Sequence, residues 1–264
     1  MSSLRAVVDT LVAEGDGFAV DAPVEWSQGR TLYGGITAAF AYEAVRRSNE
    51  ALPPLRSAQF MFVGPASGRL RFTSTVLRRG RSSTLIAADC FSDEGTAAKA
   101  VFAFGGVRES KVAHNLLPMP KVGAPDEVPS FRKEGGATRP GFWNNFETRL
   151  ALGARPFEQS AERPEFATWT RFLDTGSADP TTALLAIADC LPPAAMVHFP
   201  QPAPISTITW TVDIAHVPQN LDGWHLLWAS SEQAGEGYSL QNMAMWSEAG
   251  DLIAAGRQTI AIFA

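Results

Sequence analysis

The feature that most constrains the fold is a repeated order of elements, in which one apolar helical pattern precedes four strand patterns. The first copy has helical periodicity over 32–47, followed by strand candidates at 55–63, 70–78, 83–92 and 97–105. The second copy has a helical pattern near 181–191, followed by strand candidates at 205–216, 224–233, 238–247 and 252–263. The order predicts an α+β chain of two units, each wrapping a buried helix in a curved antiparallel sheet.

The turn sequences support the repeat and divide the chain into three segments. Ser-Asp-Glu-Gly at 92–95 lines up with Ser-Glu-Ala-Gly at 247–250, which lies 155 positions later (92 and 247). We predict an N-terminal unit at 1–107, a connecting segment at 108–165 and a C-terminal unit at 166–264. The connecting segment carries seven of the 18 prolines and many charges, which predicts a long connection with one short helical piece.

Composition excludes several classes of function. The net charge is −5 and no long basic run occurs, which disfavours a nucleic-acid partner. No apolar run approaches the ~18 residues of a membrane span, and the N-terminus resembles an amphipathic helix rather than a signal peptide. Cys90 and Cys190 stand in apolar surroundings and the histidines lack a ligand spacing. We therefore expect a cytoplasmic protein without disulfide, metal or cofactor.

One carboxylate stands out in the second helical pattern. Asp189 is the only charge between Pro180 and Met196. Asp179 is a suitable N-cap, Pro180 suits the first helical position, and two prolines at 192–193 end the helix. A helix that is apolar on almost every face is expected to be buried, so this acid must find polar partners. Asp189 is therefore either a structural cap or a reactive group.

Two strands of the second unit offer partners for it. Strict alternation along 205–216 places Thr207 and Thr209 on one face of the strand, where a polar row is also what a solvent-facing surface would show. Gln258 lies in an otherwise apolar row of the last strand, where an unpaired amide would be costly. A buried structural hydrogen bond explains Gln258 as well as a role in a site does.

In the order and spacing of its motifs, the chain resembles the double-hotdog acyl-CoA thioesterases of the TesB-like (thioesterase II) family. The supporting sequences are L-Y-G-G-I-T-A-A-F-A at 32–41, A-L-L-A-I-A-D-C-L-P-P-A at 183–194, H-V-P-Q-N-L-D-G-W at 216–224 and G-D-L-I-A-A-G-R-Q at 250–258. The resemblance covers nearly the whole chain. It implies a double hotdog and hydrolysis of an acyl-CoA to a free acid and CoA, without a cofactor.

The resemblance also implies a set of site residues in the second unit. The family uses an aspartate, a threonine or serine, and a glutamine, and these are matched here by Asp189, Thr207 and Gln258. Thr209 is the alternative hydroxyl residue and a candidate substrate contact. Gln59 stands near the position where the family often has a histidine and is a further candidate substrate contact.

Gly34 and Gly35 open the first helical pattern and have two interpretations. Their backbone N–H groups approach the acyl-CoA, or the glycines only permit a turn and close packing of helix on sheet. Glu43 is an acid of the same helix, but its neighbours Arg46 and Arg47 indicate a surface position.

Two other functions compete with hydrolysis. One is a non-catalytic acyl-CoA or lipid-binding protein, in which the polar set is only structural. The other is a hotdog hydratase of enoyl thioesters, although such enzymes usually pair an aspartate with a histidine and no histidine here is suitably placed. We also expect a homo-oligomer, because hotdog sheets leave edges and apolar faces for subunits to bury.

Overall fold

The computed structural model describes residues 2–132, 140–159 and 161–263. Its α-helices are α1 (Leu4–Val8), α2 (Gly34–Ser48) and α3 (Pro180–Ala188). The strands of the first half are β1 (Val12–Glu14), β2 (Gly17–Asp21), β3 (Ser27–Gln28), β4 (Thr31–Leu32), β5 (Leu55–Phe62), β6 (Arg69–Arg79), β7 (Ser83–Ser92) and β8 (Gly95–Gly105). Those of the second half are β9 (Phe146–Gly153), β10 (Glu165–Phe172), β11 (Ile205–Ile214), β12 (His225–Gly235), β13 (Tyr238–Ser247) and β14 (Leu252–Ile262).

Twelve of these strands form one antiparallel sheet whose two halves mirror each other. The order is β1-β2-β6-β7-β8-β5-β11-β14-β13-β12-β10-β9, so β5 and β11 join the halves at the centre. The two strands β7 and β13 begin at residues 83 and 238, the offset of 155 that the turns predicted. The predicted α+β arrangement of two helix-and-meander units is confirmed.

The two longer helices pack against each other inside the curved sheet. Helix α3 is buried from Thr181 to Ile187, as expected for a helix that is apolar all round. Asp179 caps it by accepting hydrogen bonds from the N–H groups of Thr181 (3.0 Å) and Thr182 (3.1 Å). The helix ends at Ala188, three residues before the predicted 191, and Asp189 is its C-cap. No helix in the described part of the chain has the length and apolar character needed to cross a bilayer.

The predicted connecting segment contains more structure than the sequence indicated. Besides a 3-10 helix at Gly141–Asn145, it holds the whole of strand β9, and the predicted boundary at 166 falls inside β10. Its first part crosses the outer face of the second half-sheet, where the indole N–H of Trp246 donates to the carbonyl oxygen of Leu117 (3.0 Å) and that of Trp169 to Gly123 (2.8 Å). The strands of the second half therefore begin before the predicted boundary.

Candidate active site

A cavity of about 500 Å³ opens where the start of α2 meets the end of α3. Four of the predicted site residues line it: Gly34, Asp189, Thr207 and Gln258. Much of the remaining wall is aromatic and comes from the segment predicted as a connection, with contributions from Phe131, Phe142, Trp143 and Phe157. The cavity is thus polar where the helices meet and largely apolar around that point.

Asp189 is half-buried at this meeting point and is held from two sides. The side-chain amide of Gln258 on β14 donates from Nε2 to Oδ1 of Asp189 (2.5 Å), and the backbone N–H of Gly35 donates to the same carboxylate. Burial raises the pKa of Asp189 to about 7, against the lowering effect of these two hydrogen bonds. The carboxylate can therefore gain and lose a proton near neutral pH.

Two other titratable groups lie beside Asp189. Burial raises the pKa of the Tyr33 hydroxyl and of the Cys190 thiol well above their ordinary values, so both stay uncharged near neutral pH. Tyr33 also fixes the start of α2, because its hydroxyl donates to the carbonyl oxygen of Ala186 (2.8 Å) and its ring stacks on Phe142 with centroids 4.2 Å apart. The proton exchange of this site is thus centred on Asp189.

The glycine pair at the start of α2 is required by close approach. A Cβ on Gly34 would overlap Oδ2 of Asp189 and lie 2.8 Å from Cζ of Phe62. A Cβ on Gly35 would lie 2.5 Å from the carbonyl oxygen of Ala186, in the backbone of α3. Packing therefore accounts for both glycines. At the same time Gly35 donates its N–H to Asp189, so the two interpretations of the pair are compatible.

The two candidate threonines lie on different faces, which corrects the expected alternation. Strand β11 has an irregularity between Thr207 and Thr209: Thr207 pairs with Ile260 of β14, whereas Thr209 pairs with Thr259. Because directly paired residues share a face of the sheet and the irregularity adds one residue, Thr207 turns to the cavity side and Thr209 does not line the cavity. The sequence-based assumption that both share a face is wrong.

Gln59 and Glu43 also differ from expectation. Gln59 lies in β5 on the exposed side of the sheet and does not line the cavity, since alternation turns its neighbours Phe60 and Phe62 inward. Glu43 was expected at the surface but is 1% exposed. It accepts hydrogen bonds from Arg46 (2.8 Å) and Arg47 (2.9 Å) and from the hydroxyl of Thr182 on α3 (2.6 Å), so it joins the two helices.

Gln241 is a buried polar residue of the site that the sequence analysis missed. It lies on β13 directly opposite Gln258 and donates from Nε2 to Oε1 of Gln258 (2.7 Å). Its own Oε1 accepts from the backbone N–H of Ala194 (2.9 Å). The sequence contained the same signal as for Gln258. At every second position along β13, Gln241 shares the inward face of the strand with Met243 and Met245 and is a polar residue in that row.

Comparison with known proteins supports the same family over most of the chain. A family model described as the acyl-CoA thioesterase N-terminal domain matches residues 22–105, and one described as the acyl-CoA thioesterase C-terminal domain matches 125–262. No protein of curated function matches the sequence.

Solved structures agree on the fold. A conserved hotdog-fold protein of unknown function from Alicyclobacillus acidocaldarius is 25% identical, with a TM-score of 0.88 over 100% of this chain and 99% of that one. A tesB protein of Mycobacterium avium subsp. paratuberculosis is 18% identical, with a TM-score of 0.80 over 98% and 99%. An acyl-CoA thioesterase II, TesB2, from Mycobacterium marinum is 16% identical, with a TM-score of 0.78 over 98% of each chain. The predicted double hotdog is confirmed.

Proposed function

Because the chain belongs to the acyl-CoA thioesterase family, we propose that it hydrolyses an acyl-CoA to a free acid and CoA, with Asp189 as the base that activates water. The observation that carries the proposal is a carboxylate in the wall of a largely apolar cavity, held there by the side-chain amide of Gln258; burial raises its pKa to about 7. A general base works best when its pKa lies near the working pH. The hydrogen bonds from Gln258 and Gly35 hold this base in place while its other surface meets the cavity.

The proposed reaction needs no covalent intermediate on the protein. Asp189 takes a proton from a water molecule as the water oxygen attacks the thioester carbonyl carbon. The tetrahedral intermediate then collapses, the C–S bond breaks, and the proton passes from Asp189 to the departing sulfur. Oδ2 of Asp189, beside Gly34, is the oxygen that takes the proton, because Oδ1 accepts the hydrogen bond from Gln258.

The remaining groups have supporting roles in this proposal. Thr207 lines the cavity, where its hydroxyl can hold the attacking water. The N-terminus of the 15-residue helix α2 opens at the same place, where helical N–H groups and the helix dipole stabilise the negative charge that develops on the carbonyl oxygen. The aromatic wall from Phe142 and Trp143 suits an acyl chain, since apolar surface is removed from water there.

Thiol release from a panel of acyl-CoA substrates, varied in chain length, tests the proposal. We expect purified protein to release CoA, and Asp189→Asn to abolish the release with the fold intact. Tight binding of acyl-CoA without release from any member of the panel would favour the non-catalytic binding protein instead. Addition of water to an enoyl-CoA would favour the hydratase, but none of the four histidines lines the cavity.

The irregularity in β11 supplies a matched control. Thr207→Ala removes the hydroxyl of a residue that lines the cavity, and we expect kcat to fall. Thr209→Ala makes the same chemical change two residues away on the other face of the strand and should leave kcat unchanged. Equal effects of the two substitutions would contradict the assigned role of Thr207.

We further propose a cytoplasmic location and a homo-oligomer. Cys90 and Cys190 are both free and buried, as is common for proteins of a reducing compartment. The sheet ends at β1 on one side, and this edge strand offers its outer backbone groups to another subunit, whereas the outer edge of β9 is already partly paired with residues 129–131. Light scattering on the purified protein measures the number of subunits, and a monomer at all concentrations would refute the oligomer.

A further inference from the structure

Three hydrogen bonds run in series from a backbone amide to Asp189. The N–H of Ala194 donates to Oε1 of Gln241 (2.9 Å), Nε2 of Gln241 donates to Oε1 of Gln258 (2.7 Å), and Nε2 of Gln258 donates to Oδ1 of Asp189 (2.5 Å). Both glutamines are almost fully buried, at 0% and 3% exposure. A buried amide keeps its hydrogen bonds because losing one leaves a polar group unsatisfied.

The direction of the series is set at its first member. A backbone N–H can only donate, so the residue facing Ala194 must present an oxygen. Gln241 therefore turns Oε1 toward Ala194 and is left with Nε2 on its other side. That NH₂ group can only donate, so Gln258 must present Oε1 to it and Nε2 to Asp189. Without Gln241, only the protonation state of Asp189 would choose between the two orientations of the Gln258 amide, because an ionised carboxylate needs a donor whereas a protonated one can donate to the amide oxygen.

We propose that Gln241 is a positioning residue, which holds the NH₂ group of Gln258 toward Asp189 and fixes this hydrogen bond to the base. The inference rests on the proposed role of Asp189 but concerns a residue that does not line the cavity. If the Gln258 amide rotated, its carbonyl oxygen would face the carboxylate, and the ionised form of Asp189 would lose a donor and gain a repulsive neighbour.

The anchor of the series also links the base to the end of α3. Ala194 begins the 3-10 helix Ala194–His198, which directly follows Pro192 and Pro193 and starts five residues after Asp189 (189 to 194). Gln241 thus ties the segment that follows Asp189 to the strand that neighbours Gln258. A shift of this segment would therefore change both the orientation of the Gln258 side-chain amide and the position of the Asp189 carboxylate.

The test measures the pKa of Asp189 from the carbon-13 shift of its carboxyl group, a readout that does not depend on activity. In Gln241→Met, which keeps the side-chain length but cannot donate, we expect the pKa of Asp189 to rise by about one unit. Ser239→Ala on the same strand removes a different buried hydrogen bond, to Ser231 (3.0 Å), and should leave this pKa unchanged. Lower thermal stability of Gln241→Met with an unchanged Asp189 pKa would overturn the proposal.

A double variant tests whether Gln241 acts through Gln258. In Gln258→Met, adding Gln241→Met should cause no further change in the pKa of Asp189; an additional shift would show that Gln241 acts on Asp189 by another route and overturn the proposal. If the wild-type protein releases no thiol while these shifts occur, the proposed function fails and the positioning role stands.

The wild-type protein alone provides a second measurement in case Gln241→Met does not fold. The side-chain amide resonances of Gln258 and Gln241 should both titrate with a midpoint near 7, because the proton on Asp189 alters every hydrogen bond of the series. A Gln258 amide resonance that does not respond between pH 5 and pH 9 would refute the proposed orientation.

Discussion

Replacing Asp189 by asparagine should make the protein more stable above neutral pH, although it removes the proposed base. The folded protein holds this carboxyl group at a pKa of about 7, whereas an unfolded aspartate titrates near 3.9. The folded state therefore binds more protons between these values, and its stability falls as pH rises. The favourable contribution is complete below about pH 4 and lost above about pH 7. From pH 5 to pH 8 this amounts to a loss of about 2–3 kcal/mol in the free energy of unfolding.

The assay is equilibrium unfolding in urea at pH 5 and pH 8, with wild type and Asp189→Asn side by side. Asparagine keeps the size of the side chain and an oxygen that can accept from Gln258, so the two proteins differ mainly in one titrating group. His225, whose pKa burial lowers to about 4, is present in both and cancels in the comparison. If the free energy of unfolding differs between pH 5 and pH 8 by the same amount in wild type and in Asp189→Asn, the inferred cost of burying the Asp189 charge is wrong.

Three further predictions follow from the site and the helix pair. Hydrolysis should accelerate as pH rises through about 7, because the base must be ionised; a flat profile between pH 5.5 and 8.5 would contradict this. Gly34→Ala should lower kcat roughly ten- to hundredfold, because the added methyl group displaces Asp189. Gly35→Ala should lower the free energy of unfolding by about 1–3 kcal/mol, because its methyl group presses on the backbone of α3. If Gly34→Ala changed mainly stability and Gly35→Ala mainly kcat, these two assignments would be refuted. Glu43→Ala should lower the free energy of unfolding, measured in urea, by about 2–4 kcal/mol. This is less than the loss expected for a fully enclosed ion pair, because Arg46 is 43% exposed. An unchanged urea midpoint would show that the ion pairs of Glu43 contribute nothing to stability.

The acid and the amide of the site could be predicted from sequence because each breaks a local apolar pattern. Asp189 interrupts a buried helix and Gln258 interrupts an inward-facing row of a strand, and both patterns depend only on neighbours within a few positions. The structure brings the two into contact across 69 positions of sequence. The sequence identified both groups, and the comparison with a known family suggested that they meet.

The choice between Thr207 and Thr209 could not be made from the pattern. Strict alternation assumes a regular strand. One extra residue in β11 turns the side chains that follow it to the opposite face from the one that alternation predicts. Nothing in the sequence of threonines and isoleucines there marks the irregularity. The placement of Gln59 failed for a related reason, since one position along a strand separates the inner face from the outer face.

The burial of Glu43 depends on partners that are distant in sequence. Two arginines in the next turn of a helix usually indicate a solvated face, and from α2 alone that interpretation is reasonable. The hydroxyl that completes the set belongs to Thr182, 139 positions away. The aromatic cavity wall was missed similarly, because Phe142 and Trp143 lie in a proline-rich segment without strong periodicity.

Helices α2 and α3 have acids at corresponding positions, but the pKa of one acid is lowered and that of the other is raised. Glu43 and Asp189 each lie nine positions after the first residue of a helix (34 to 43, 180 to 189). Helix α2 continues to Ser48, so the residues three and four positions after its acid, Arg46 and Arg47, reach the carboxylate.

After Asp189 these two positions are Pro192 and Pro193, which end the helix and offer no donor. Burial acts to raise the pKa of both acids. For Glu43 the hydrogen bonds and charge of Arg46, with the hydroxyl of Thr182, outweigh burial and lower it, whereas for Asp189 the amide donors do not. Of the two acids, Asp189 is the one that can exchange a proton near neutral pH. The two prolines therefore leave Asp189 without the cationic partners that Glu43 has, which is why we propose the second half of the fold as the one that carries the chemistry.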